Sequence, residues 1–305
     1  MSLPYLNTHM EVPGKNVICI RIADITIALS AADPSMRIAI EGPISRFVAA
    51  EGTEPDVSIH AAWRDRPWDP CGEKIFDSGG VWQLYGNNDT YCFIFSSPAA
   101  GALPYKIASF NRYFSEGVVC LYRDYFKSGD PINALECPLD ELLMVNLLSL
   151  GKGVEVHACG LMTAEGDGYL FPGVSGAGKT TMARLWEKAP GAVILSDDRI
   201  ILRHSKGTFW MYGTPWHGEA ELAAPVRVPL RQVFFLRRGP RNELVAKRQS
   251  EAAACLFPCV FPTFWNAAGL EFTLEFLEAV TGAIPCHDLF VVPDTRVIEF
   301  IATLL

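Results

Sequence analysis

The chain has 305 residues, half of them apolar and a fifth charged, with a formal charge of −8 and an isoelectric point near 5.3. That length and apolar share suffice for one large core or two modest ones, and they exclude disorder and collagen-like repeats. The acidic balance lacks the basic footprint that phosphate backbones and anionic bilayers demand, so neither nucleic acid nor membrane is an expected partner. The first twenty residues carry Pro4, Asn7, Glu11, Pro13 and Lys15 where a secretory signal needs a continuous apolar region. Residues 255–270 are interrupted by Pro258, Pro262 and Asn266, and fall short of the roughly 20 apolar residues of a membrane span. Nine cysteines without a C-x-x-C pair read as reduced thiols, and a cytoplasmic location is expected.

From Asn16 to about Asp124 the sequence is a series of short β-like runs: 17–28, 56–63, 81–85, 91–95 and 117–122. Turn residues such as Gly79-Gly80 and Asn87-Asn88-Asp89 separate them. Residues 1–135 are therefore expected to form a β-rich N-terminal domain built on an antiparallel sheet, with no nameable chemical motif. Pro138 then opens a segment in which Leu139, Leu142, Leu143, Leu147 and Leu150 recur at helical spacing. Asp140 and Glu141 fall in its first turn, where the helix dipole favours acids, and Gly151 ends it. Residues 136–305 form the expected second domain.

The signal for function begins at Gly173-Val174-Ser175-Gly176-Ala177-Gly178-Lys179-Thr180, which satisfies G-x-x-x-x-G-K-[ST] and is followed by Thr181. Tyr169-Leu170-Phe171 reads as a strand before the loop, and Met182, Leu185 and Trp186 give a helical stripe after it. Glycines suit such a loop because backbone N–H groups must wrap closely around phosphate oxygens, and the helix N-terminus adds partial positive charge. A nucleoside triphosphate is the expected ligand, with Lys179 at the β- and γ-phosphates and Thr180 ligating Mg²⁺.

Asp197 and Asp198 stand at the end of the apolar run Ala192-Val193-Ile194-Leu195. Neighbouring strand residues point to opposite sides, so the pair suits a division of work between a metal shell and a substrate hydroxyl. The same Ser-Asp-Asp-Arg also fits a solvated turn opening a hairpin, with Arg199 as an ion-pair partner. A hairpin does follow in the sequence, since residues 199–203 and 208–212 read as strands around Ser205-Lys206-Gly207. Thr214-Pro215-Trp216-His217-Gly218-Glu219 then gathers an imidazole, an indole and a carboxylate, a composition that suits a substrate or metal contact and equally an architectural turn.

Val156-His157-Ala158-Cys159-Gly160, the glycine loop and Ser196-Asp197-Asp198-Arg199 together resemble the core of HPr kinase/phosphorylase and its relatives, which share a fold with phosphoenolpyruvate carboxykinase. The resemblance covers residues 154–203 well and the remainder loosely; the layout of the front half is similar to relatives found beside peptide-modification clusters, including lasso-peptide precursor kinases. It implies an α/β class, with a P-loop kinase domain of the phosphoenolpyruvate carboxykinase/HPr kinase type preceded by a β-rich α+β domain. It implies Asp198 as the base for the acceptor hydroxyl, Lys179 and His157 at the reacting phosphates, and Thr180, Asp197 and Glu219 as metal ligands. ATP and Mg²⁺ are the implied cofactors, a serine of a peptide or protein the implied acceptor, and a homo-oligomer the implied assembly. The family's Gly-Leu-Gly signature around its glutamate is absent, replaced by the Thr214–Glu219 motif, so HPr itself, the reverse phosphorylase activity and a hexamer are not carried over.

Downstream, 256–265 is dense in aromatics and reads as core packing, 272–280 as a helix, 289–292 as a strand and 295–304 as a closing helix. Two rival functions stay open: a kinase for a small hydroxylated metabolite, and a non-catalytic module that grips a partner when ATP is loaded. A carboxykinase is disfavoured by the short chain and the lack of an oxaloacetate-binding set.

Overall fold

The computed structural model describes residues 17–50, 52–65, 72–98, 103–126 and 130–303. The described residues divide into two compact units, one drawn from 17–19, 27–39 and 53–134, the other from 20–26, 40–52 and 135–303. The strands fall into two eight-stranded sheets.

The first sheet takes in β1 (Val17–Ile22), β2 (Ile25–Ala31), β3 (Val57–Arg64), β4 (Glu73–Asp77), β5 (Trp82–Gly86), β6 (Thr90–Phe95), β7 (Lys106–Asn111) and β8 (Glu116–Tyr122), in the order β1-β2-β3-β8-β7-β6-β5-β4. The run expected over 17–28 is broken by a turn at Ala23-Asp24. β4 to β8 form an antiparallel meander, but β3 pairs in parallel with both β2 and β8, so the sheet is mixed where an antiparallel one was expected. Alternation in β6 and β7 buries Phe93, Phe95 and Phe110, with the Phe93 and Phe110 rings edge to face at 6.2 Å.

The second unit contains α1 (Leu139–Leu148), β9 (Val154–Met162), β10 (Gly168–Pro172), α2 (Lys179–Trp186), β11 (Val193–Ser196), β12 (Arg199–Ser205), β13 (Thr208–Gly213), β14 (Arg227–Arg238), β15 (Glu243–Ala246), α3 (Gln249–Leu256), α4 (Ala267–Ala283), β16 (Cys286–Val291) and α5 (Arg296–Ala302). Leu304, expected in the closing helix, lies outside the described residues. The sheet runs β10-β9-β12-β13-β14-β16-β15, β11 adds to β9, and a β10–β14 pairing closes a ring through β9, β12 and β13. Alternation along β9 sends Val154, Val156 and Ala158 to one face, where α3 and α4 contribute Leu256, Phe276 and Val280. Cys159 and Leu161 go to the opposite face, under Met182 and Trp186 of α2 and Val297 and Ile301 of α5. Leu256 and Cys259 of the aromatic-rich stretch are core residues, whereas Phe264 is exposed.

This architecture corrects the expected fold class. The protein is mainly β, two large mixed sheets with few helices, and not a P-loop α/β kinase domain behind an α+β domain. An α/β fold needs helical crossovers that return each strand parallel to the last. Here β11 passes to β12 through Asp197-Asp198 alone, and β12 turns into β13 through Lys206 and Gly207, two residues in left-handed backbone. β11 and β12 follow one another along the same edge of β9, both antiparallel to it as β10 is, and β12 then runs back into β13, so among the described pairings of this sheet only β10–β14 and β14–β16 are parallel. Among the described residues no helix is long and apolar enough to cross a membrane.

Candidate active site

The site forms where the partners of β9 change. β12 pairs with residues 154–157 of β9, and β10 with 158–162. At this fork the His157 carbonyl accepts from the Gly173 amide at 3.1 Å, and the Ala158 amide donates to the Asp198 carbonyl at 3.0 Å. Two adjacent residues of one strand thus tie down the start of the glycine loop and the β11–β12 turn.

The loop has the shape its residues predict. Gly176 and Gly178 sit at φ +82° and +100°, and a Cβ on Gly173 would stand 2.5 Å from that of Ala177. Val174, Ser175 and Thr181 are exposed and Thr180 is half-buried in the first turn of α2. Lys179 is only 6 % exposed; its Nζ donates to the carbonyls of Gly173 at 2.8 Å and Val174 at 3.2 Å, bending over the concavity. Burial lowers its pKa, and the Asp198 charge counteracts that. A cavity of about 480 Å³ adjoins the loop, lined by Gly176, Ala177, Gly178, Thr181, the apolar side chains of Met182, Leu185, Leu236, Val291 and Val292, and Arg237 and Arg238.

Opposite the loop, charged side chains converge. Residues paired across strands share a face, which places Glu155 and His157 of β9 beside Arg199 of β12. His157 Nε2 lies 2.9 Å from Asp198 Oδ1, and the Arg199 guanidinium bonds Asp198 Oδ2. Burial opposes the Asp198 charge, but His157 and Arg199 outweigh it and hold the carboxyl below the usual range, so Asp198 is a carboxylate at neutral pH. Arg199 Nε also donates to Glu141 of α1 at 2.7 Å and lies 3.5 Å from Glu155, while its guanidinium stacks 4.4 Å over the Phe261 ring. Glu155 is fully buried with no hydrogen-bond partner for either carboxylate oxygen; burial, with Glu141 nearby, raises its pKa well above normal.

The two aspartates separate by task. Asp197 is 1 % exposed and accepts from the amides of Gly218 and Ala220, each at 2.9 Å. Gly218 is required there, since a Cβ would fall 2.8 Å from Asp197 Oδ2. The motif around His217 wraps this buried carboxylate and is pinned further: Ser196 Oγ donates to the Trp216 carbonyl at 2.9 Å, Thr214 Oγ1 to that of Arg199 at 2.7 Å, and Trp216 Nε1 to Asp140 at 2.9 Å. Glu219 is exposed on the same turn. The structure therefore brings together Lys179, His157 and Asp198, commits Asp197 to holding a loop, and leaves Glu219 facing solvent.

Sequence reasoning missed Glu141, Glu155 and Asp140. The acids of α1 were legible as helix-dipole partners, yet they reach across to Arg199 and Trp216; Glu155, a lone acid among the apolar residues of β9, was a usable signal.

Among the described residues no three His, Cys, Asp or Glu side chains gather as a metal-ligand set. A Mg²⁺ ion held by Thr180 Oγ1 together with phosphate oxygens and water fits this donor supply, because such ions keep much of their water shell. No family model and no curated protein matches the chain.

Proposed function

We propose that the protein is a phosphotransferase that moves the γ-phosphoryl group of ATP, with Mg²⁺, to a hydroxyl, in the first instance a serine of a peptide or protein. The observation that carries this reading is the fork at His157-Ala158, which ties a phosphate-cradling loop and an ionised carboxylate to one strand. Phosphoryl transfer asks little covalent chemistry of a protein; positioning and charge neutralisation do most of the work. The motifs resembling those of HPr kinase/phosphorylase support the same reaction class.

In this reading the glycine-loop amides and Lys179 hold the phosphates, with the ammonium released from the Gly173 and Val174 carbonyls to meet them. The cavity beside the loop takes the nucleoside, its apolar wall of Met182, Leu185, Leu236 and Val291 suiting a flat base. Thr180 holds the metal, which when bound neutralises phosphate charge. Asp198 accepts the hydrogen bond and then the proton of the acceptor hydroxyl, oriented by His157 on one oxygen and Arg199 on the other. Its low pKa makes it a weak base, which suits a reaction whose nucleophile needs alignment more than deprotonation.

Incubation of cell lysate with ATP, Mg²⁺ and either wild type or Asp198→Asn, followed by phosphoproteomics, tests the reading. New phosphoserine with wild type alone supports it. ATP consumption with a phosphorylated metabolite as product would replace the serine acceptor, and nucleotide binding without any transfer would overturn the enzyme reading.

A further inference from the structure

A second cavity, of about 350 Å³, opens in the same unit and shares no lining residue with the cavity beside the glycine loop. Separate chain segments build it: the tip of the β1–β2 hairpin, residues 46–49, the end of β13 and the start of β14. Its polar side holds Arg21, Arg46, Arg227, Tyr212 and Asp24. Three guanidiniums thus face one carboxylate, an excess of positive charge in a chain whose net charge is −8.

That carboxylate organises the pocket. Asp24 Oδ1 accepts from Arg21 Nη2 at 2.9 Å, and Oδ2 from Arg227 Nη1 at 2.7 Å and from the Tyr212 hydroxyl at 2.9 Å. Burial works against its charge, but these partners keep the carboxyl below the usual range. Arg46 spends one N–H on the Ala223 carbonyl at 2.8 Å and carries further donors. Arg227 also lies 4.9 Å over the Trp210 ring, so one face of its guanidinium rests on the indole while an edge bonds Asp24. Guanidiniums held in place before a ligand arrives lose less freedom when it binds.

The hairpin tip adds a second, independent observation. Ala23 and Asp24 are both left-handed, at φ 50° and 57°, in a turn where Asn-Gly is the relaxed choice. A non-glycine residue in that region costs about 1 kcal/mol, and such strain collects where a side chain must be aimed. The opposite wall is apolar, formed by Phe47, Val48, Pro225 and Val226.

We propose that this cavity is a binding site for a small organic anion, a phosphate or carboxylate group carried on an apolar body, separate from the glycine loop. The guanidinium fork takes the anionic head, because its donors match the spacing of paired oxygens, and the Phe47–Val48 wall takes the body.

Isothermal titration of the full-length protein with phenyl phosphate, phenylpropionate, inorganic phosphate and benzyl alcohol tests this. One of the two amphipathic anions is expected to bind saturably, more tightly than inorganic phosphate or the neutral alcohol, and which of them binds names the head group. Arg46→Ala and Arg227→Gln should each weaken it by about tenfold. Asp24→Asn, which removes the competing carboxylate but keeps the side chain's shape, should tighten it, an effect opposite to that of misfolding. Lys179→Ala should leave it unchanged. Equal affinity in the arginine variants, no saturable binding of either anion, equal binding of benzyl alcohol, or loss of binding in Lys179→Ala alone would each overturn the proposal.

Discussion

The glycine loop and the charged cluster face each other across β9, yet they are built in different ways. The loop is backbone chemistry: left-handed glycines, a Cβ-free approach at Gly173, and one lysine folded over the carbonyls. Every part of it comes from eight consecutive residues. The cluster is side-chain chemistry, in which α1, β9 and the β11–β12 connection each send one or two groups to the cluster around Arg199 of β12. A locally encoded feature tolerates changes elsewhere in the chain. A cluster assembled from distant segments depends on the sheet register that brings Glu155 and His157 opposite Ile201 and Arg199.

Substitutions can break this contrast in order of effect. Lys179→Ala removes the ammonium at the loop and should lower phosphoryl transfer by about 10³-fold, with nucleotide binding lost in titration calorimetry. Asp198→Asn should leave nucleotide affinity intact and cut turnover by about 10²-fold, which separates the two halves of the site. Glu155→Gln acts on stability. With its pKa raised, Glu155 favours the fold fully below the ordinary carboxylate range, and that contribution is lost as pH rises. Thermal melts from about pH 5 to about pH 8 should therefore show the variant gaining stability relative to wild type; a pH-independent difference would show that Arg199 keeps Glu155 ionised. The smallest effect is expected at Gly178→Ala, where a Cβ meets only Leu236 at 3.7 Å and the cost is the φ of +100° alone. A loss of about 1 kcal/mol, or a melting shift of about 2–4 °C, follows from that strain.

The same contrast explains what the sequence made legible. The loop, the helix after it, the leucine-rich helix at 139–148 and the strand–turn–strand at 199–213 follow from local pattern and turn chemistry. The fold class did not, because a strand, a glycine loop and a helix look alike whether the next strand pairs directly with the first or is separated from it by an antiparallel strand, as β9 separates β10 from β11. What sets the class is β9, which lies antiparallel between β10 and the β11–β12 edge, and the tight Lys206-Gly207 hairpin that follows. Asp197 and Asp198 are chemically identical in the sequence; only the fold shows one gripping the Gly218 and Ala220 amides and the other facing His157. Glu155 reads as an ordinary acid until the sheet buries it.

The most direct test of the central claim, that the loop and Asp198 form one phosphoryl-transfer site, compares wild type with Asp198→Asn for ATP binding by calorimetry and for ADP release in lysate supplemented with Mg²⁺. Equal ATP affinity is expected for the two proteins, with ADP release above that of the lysate itself by wild type alone. Undiminished ADP release by Asp198→Asn would contradict that claim.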